Sequence, residues 1–149
     1  MKLEHVNEIK GILILAVSLI LLGSLASFTP YDLPWYISQP NTHAHNLIGI
    51  VGAYLAGFLF FVLGLSAYFL VVVGFFWSWN KFTSREIQFS FPKFLSLIVL
   101  ILVVASLLSM SAGDDKMERF TRSGVVGICF SDFLNQYLSP VGAILILSV

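Results

Sequence analysis

One cysteine, Cys129, stands in a chain of 149 residues, which excludes an internal disulfide and any Cys-rich metal site. Charge is scarce as well, at 11% of residues, and the eight acidic and eight basic side chains cancel. No basic field therefore exists to hold nucleic acid. No G-x-x-x-x-G-K-[ST] phosphate loop occurs, because Lys81 follows Asn80, Lys93 follows Pro92 and Lys116 follows Asp115. His43 and His45 have no acid or cysteine beside them in sequence, and two loop histidines fall short of the three protein ligands a metal site needs. No nucleophile and base pair marks an intramembrane enzyme. The residues thus offer no catalytic, cofactor-binding or metal site. What the chain has in quantity is apolar surface: 58% of residues are hydrophobic and 15% aromatic. A chain of this size cannot hide so many behind its own polar surface, which places it in the membrane class.

The run from Leu47 to Trp79 carries no charged residue. As one straight helix it would be about 50 Å long, against a hydrocarbon core of roughly 30 Å. It should therefore break once, and Gly64, followed by Ser66 and Ala67, is the place. The expectation is a first helix over 48–63 and a spanning helix over 65–79. The pattern recurs 75 residues later, where Gly49 falls on Gly124, Gly52 on Gly127, Phe58 on Phe133, Leu59 on Leu134 and Gly64 on Ser139, just before Pro140. A proline opening the second spanning helix fits its first turn, where the missing N–H costs nothing. Self-similarity at one offset, with the break in register, reads as a duplicated unit of helix, break and helix.

The remaining segments follow from length and punctuation. Residues 9–28 suit one crossing. Ser24-Leu25-Ala26 would serve signal cleavage, but the apolar run is longer than a usual signal h-region, so an uncleaved helix is expected. Thr29 to Asn46 carries Pro30, Pro34 and Pro40 among Tyr31, Trp35 and Tyr36, an interfacial loop. A third spanning helix covers 94–112, entered past Ser90 and Pro92 and stopped by Gly113 and Asp114-Asp115. Its serines, Ser96, Ser106, Ser109 and Ser111, are expected to bond back to their own helix. Asp114 to Ser123 reads as a short connection.

Residues 124–138 place Ser131, Asp132, Asn135, Gln136 and Ser139 opposite Val126, Phe130, Phe133, Leu134 and Tyr137, an amphipathic helix lying on or shallowly entering the interface. Asp132 is then solvated, and Cys129 packs. Residues 140–149 begin a fourth crossing that reaches only about 14 Å before the sequence stops, so the chain reads as a fragment cut before further segments. The reading is one all-α polytopic membrane domain over 1–149 with four transmembrane helices. Lys2, Lys10, Lys81, Arg85 and Lys93 fall at the N-terminal side, which puts the N-terminus in the cytoplasm.

Small residues form two ridges on the first broken helix: Gly49, Ala53 and Gly57, and beside them Gly52 and Ala56. Gly127 and Ser131 preserve the second ridge in the other half. Such ridges let helix backbones approach closely. Tyr36, Trp77 and Trp79 read as interfacial anchors. A small transporter or channel built from duplicated broken helices is the alternative function, although Asp132 is its one plausible ion ligand.

Several landmarks fall in one order. Asn7-Glu8-Ile9-Lys10-Gly11 precedes the first apolar run, and Ser27-Phe28-Thr29-Pro30-Tyr31-Asp32-Leu33-Pro34-Trp35 follows it. Then come Asn46 to Ala56, Phe61 to Tyr68, Gly124-Val125-Val126-Gly127, Asp132-Phe133-Leu134 and Pro140-Val141-Gly142-Ala143. Together these resemble the N-terminal four-helix membrane domain of the FtsK/SpoIIIE family of septal DNA translocases. The resemblance implies an anchor in the bacterial inner membrane at the division septum, itself non-catalytic, homo-oligomeric and in contact with lipid and with division-septum membrane proteins, but not with nucleic acid. The complete protein would carry a hexameric motor, using ATP and magnesium, that pumps DNA during chromosome segregation. The charged 114–122 loop, and Gly57 where the other repeat has Asp132, look less typical of the family.

Overall fold

The structure, a computed structural model, describes residues 3–83, 90–113 and 115–148. Lys2, Arg85, Asp114 and Val149, which enter the charge count, the stop of the third helix and the fourth crossing, lie outside the described residues, as does the side chain of Glu4. Among the described residues every regular element is helical: α1 (Leu3–Ala26), α2 (Gly49–Leu63), α3 (Tyr68–Phe82), α4 (Phe91–Ser111) and α5 (Lys116–Leu147), with single 3₁₀ turns at Pro30–Asp32 and Gly64–Ala67. Three stretches among the described residues are long and apolar enough to cross a membrane: His5–Ala26, Gly49–Phe82 and Phe91–Ser111.

The break expected at Gly64 is a 3₁₀ turn, and α3 resumes only at Tyr68. Gly64 adopts φ 57°, a left-handed conformation that glycine enters without steric cost. Ser139 also leaves the helical region, at φ 60° and ψ 159°, and Pro140 follows it inside α5. Several boundaries differ from the sequence reading: α1 begins at Leu3 rather than at residue 9, α3 covers Tyr68–Phe82 rather than 65–79, and α4 covers Phe91–Ser111 rather than 94–112. α1 closes at Ala26, where the Ser27 N–H still bonds the Gly23 carbonyl in the α pattern but the Phe28 N–H turns to the Leu25 carbonyl in a tighter i→i−3 bond. The expected 114–123 connection is helical from Lys116, since the carboxylate of Asp115 accepts the N–H groups of Met117 and Glu118 and caps a new helix there. That helix runs on through a left-handed Gly124 (φ 62°).

The chain forms two compact units. One comprises Met1–Gly57 and Tyr68–Phe89, the other Phe58–Ala67 and Ser90–Val149. In the first, α1 and α3 run antiparallel through small-residue contacts. The Ser78 hydroxyl donates to the Gly11 carbonyl at 2.9 Å, and Gly74 faces Ser18 without room for a β-carbon. In the second, Leu134, Ala143 and Leu147 of α5 make a core against Val103, Leu107 and Met110 of α4, with Phe130 beside them. Close approach of backbones, with no large side chain between, is how helices gain contact where lipid already matches any apolar side chain.

Candidate functional site

In the first unit the loop of three prolines is built on Asp32. Its side chain is buried, and it accepts the Asn41 amide at 2.9 Å and the backbone N–H groups of His45 and Asn46 at 3.0 and 3.2 Å. Burial pushes this carboxyl's pKa up, yet the hydrogen bonds from Asn41, His45 and Asn46 together outweigh it and hold the carboxyl below its ordinary value. Asn46, also buried, then stitches the loop to the helices: its amide donates to the Ser24 carbonyl of α1 at 2.8 Å, and its oxygen accepts the N–H of Ile48 at 3.1 Å. The Ser27 hydroxyl accepts the N–H of Leu47 at 2.9 Å. Every step into α2 is thereby satisfied before the helix begins.

The histidines of this loop do not converge. His45 brings Nδ1 within 3.5 Å of Asp32, while His43 bonds the neighbouring Thr42. Among the described residues no three metal-ligating side chains gather. Tyr36 is partly buried and donates its hydroxyl to the Gly57 carbonyl at 3.3 Å, a structural bond that the reading of it as an interfacial anchor missed. Burial pushes its pKa up.

Gly52, Ala53, Ala56 and Gly57 form the buried face of α2, whereas Gly49 has open space where a β-carbon would stand. What the ridge meets is the end of α1 and the loop: Gly52 lies against Asn46, Ile48 and Ser24, and Gly57 against Leu33 and Phe28. In the second unit a β-carbon on Gly127 would come within 2.7 Å of the Ala105 carbonyl oxygen of α4. Ser131, fully buried, donates to Ser109 of α4 at 2.8 Å.

The face of α5 that turns inward carries the small-residue ridge read from the sequence, Gly127 and Ser131, together with Leu134, while Phe133 and Tyr137 are exposed. Apolar side chains need not face inward where lipid bathes the outside. Cys129 is exposed rather than packed. Asp132 is half-exposed but ion-paired to Arg119. That guanidinium also donates to the Ser109 hydroxyl, from Nε at 3.2 Å and Nη2 at 3.1 Å, and to Ser131 at 3.1 Å. Of the four serines of α4, Ser96, Ser106 and Ser111 bond back within the helix as expected, and Ser109 instead faces Arg119 and Ser131.

These two polar knots, one on Asp32 and one on Arg119, hold helix ends in an otherwise apolar molecule, and neither presents a nucleophile beside a base. The model of the 4TM region of DNA translocase FtsK/SpoIIIE matches residues 4–149. The chain belongs to this family. A DNA translocase FtsK of Azospirillum brasilense is 30% identical over 136 residues, covering 89% of this chain and 21% of that protein. One of Rickettsia prowazekii is 28% identical over 142 residues (94% and 18%), and one of Shewanella oneidensis 27% over 133 (85% and 14%). The chain thus spans about a fifth or less of the length of these relatives, in each case over most of itself. No solved structure matches it. The family's 4TM region is a membrane domain, in keeping with the three long apolar helices.

Proposed function

We propose that this domain anchors a DNA translocase in the bacterial inner membrane and gathers it, as a homo-oligomer among other membrane proteins, at the division septum, while a motor outside these residues uses ATP and magnesium to move DNA. The observation that carries the reading is the family match across 4–149. The domain's own chemistry supports a mechanical role: the buried side chains of Asp32, Asn46 and Ser131 hold the loop and tie helices together. On this reading the domain is non-catalytic and touches no nucleic acid.

The proposal includes four crossings with the N-terminus cytoplasmic and two repeats of one unit. Supporting the repeats, left-handed backbone occurs at Gly49 (φ 72°) and Gly124 (φ 62°), and again at Gly64 (φ 57°) and Ser139 (φ 60°). Both pairs stand at the same 75-residue offset that aligns Gly52 with Gly127. For Ser139, which is not a glycine, such backbone is uncommon, so its return at the offset of Gly64 adds a structural match to the compositional one.

The test is a fluorescent fusion of residues 1–149 in dividing bacteria, with reporters after Lys93 and after Ser123 for topology. Sedimentation with membranes, enrichment at midcell, and reporter activity inside at Lys93 and outside at Ser123 are expected. A soluble fusion removes the anchor, an even membrane distribution removes the septal role, and the reversed reporter pattern removes the orientation.

A further inference from the structure

The two broken helices share a backbone pattern but not a surface. Along α2 the exposed side chains are Ile50, Val51, Tyr54, Leu55, Phe58 and Phe61, and the helix GIVGAYLAGFLFFVL has no polar residue except Tyr54. It has no face to offer water. Along 125–138 of α5 the exposed set mixes Cys129, Asp132 and Gln136 with Phe133 and Tyr137, so a polar edge and an aromatic edge lie side by side.

The backbone tells the same story. Non-helical backbone is tolerated at hydrocarbon depth only when protein covers it, because lipid satisfies no N–H or C=O group. The turn that ends α2 comes close to that condition: Gly64, Ser66 and Ala67 are buried, and the apolar side chain of Leu65 is exposed. The start of α2 meets it, since the N–H groups of Leu47, Ile48 and Gly49 are bonded by Ser27 Oγ, Asn46 Oδ1 and the Asn46 carbonyl. Its position agrees, for Ile48 packs on Gly23 and Gly52 on Ser24, inside the last turn of the apolar α1. The break at Ser139 fails the condition. Leu138, Ser139 and Pro140 are all exposed, so protein does not cover this non-helical backbone, and water or headgroups suit it better than acyl chains.

We infer that α2 is sunk among lipid acyl chains, which cover Leu47, Ile50, Val51, Tyr54, Leu55 and Phe58, while residues 125–138 stay at headgroup level with Asp132 and Gln136 in water. The apolar face of α2 continues from Leu47 and from Trp35, whose ring stands edge-on to Tyr54 at 4.8 Å between centroids, so aromatic anchors border it where the headgroups begin.

The inference rests on the membrane-anchor reading. Its test uses the whole chain in nanodiscs of mixed phosphatidylcholine and phosphatidylglycerol, with spin labels at Val51→Cys, Phe58→Cys or Gln136→Cys in a Cys129→Ser background, and at native Cys129. Oxygen, which concentrates in lipid, should collide often at 51 and 58 and a polar nickel chelate rarely. The order should invert at 129 and 136. Nickel access at 51 and 58, or lipid-like readings at 136, overturns the inference. So does low access by both probes at 51 and 58, which would mean that another copy of the chain covers α2. Failure of the chain to float with lipid would overturn the anchor reading as well, whereas flotation with nickel access at 51 overturns only the depth assignment.

Discussion

Gly64 and Gly124 meet backbone to backbone. A β-carbon on Gly64 would stand 2.6 Å from the Arg122 carbonyl and the Gly124 nitrogen, and one on Gly124 would stand 2.6 Å from the Gly64 nitrogen and closer still to the Val62 carbonyl. Each glycine also holds a left-handed φ. The end of one broken helix is therefore seated on the start of the other, and the contact exists because both residues lack a side chain.

Alanine at either position should destabilise the second unit on two counts. Left-handed φ costs an L-residue of the order of 1–3 kcal/mol, and the backbone in contact has no rotamer by which to yield. Gly113→Ala separates the two effects, since Gly113 has φ 64° but nothing within reach of a β-carbon. Thermal unfolding in detergent should fall modestly for Gly113→Ala and clearly further for Gly64→Ala and Gly124→Ala. Equal losses at all three would show that strain alone matters and that the contact is loose.

The break was legible in the sequence because an overlong apolar run forces one, and Gly64 and Ser139 are where the structure leaves the helix. The contact partner was not legible. Nothing in the residues around Gly64 names Gly124, because a backbone contact leaves no side-chain pattern. The inward face of α5 was legible as the small-residue ridge of Gly127 and Ser131, which turns in beside Leu134. Cys129 was misplaced because amphipathic periodicity gives the two faces of a helix but says which is buried only when water is the solvent. Arg119 was missed as a packing residue because it lay in a stretch read as a connection.

Removing Arg119 should loosen α5 from α4. Its guanidinium ties Ser109, Ser131 and Asp132 together, and Arg119→Ala leaves two buried hydroxyls bonded only to each other and to a helix carbonyl. Hydrogen bonds between helices in membranes are typically worth about 0.6–1.7 kcal/mol. A double-mutant cycle of Arg119→Ala with Ser109→Ala, read by thermal unfolding, should give a coupling in that range. Strict additivity would remove the network from the account of stability. Arg119→Lys should not restore the coupling, since one ammonium cannot fork across Ser109 as the planar guanidinium does.

Acid should unfasten the loop on Asp32. Because the folded carboxyl lies below its ordinary value near 3.8, the stability it contributes is present above the unfolded pKa and is lost as pH falls through the folded one. The window is therefore below about pH 4. Asp32→Asn keeps the shape, but the N–H groups of His45 and Asn46 share Oδ2 while the Asn41 amide donates to Oδ1. A carboxamide that serves the two N–H groups therefore turns its own NH2 against Asn41 and leaves a donor facing a donor, at a cost of about 1–3 kcal/mol. Limited proteolysis within 29–48 should be slow in the parent at pH 7, faster near pH 3, and already fast at pH 7 in Asp32→Asn. A parent loop equally resistant at pH 3 would mean that the carboxylate does not hold it.

Two glycines of α5 should respond to alanine in opposite directions. At Gly127 the added β-carbon would lie 2.7 Å from the Ala105 carbonyl oxygen and 2.9 Å from its carbon, on the backbone of α4. It can be accommodated only by moving the helices apart, which sacrifices the contact around Ser131 and Ser109 as well. At Gly142 the nearest atoms are the β-carbon of Leu138 at 3.5 Å and the Ser139 hydroxyl at 3.8 Å, which is ordinary contact, and the residue lies in a helical stretch. Alanine there recovers the helix propensity that glycine forfeits, about 1 kcal/mol. Gly127→Ala should therefore lower the unfolding temperature in detergent and Gly142→Ala should leave it unchanged or raise it. Both changes add one methyl group to the same helix, so a difference in hydrophobicity or insertion cannot produce the contrast. If Gly127→Ala unfolded like the parent, α4 and α5 would not be held at backbone distance, and the small face of α5 would have no packing role.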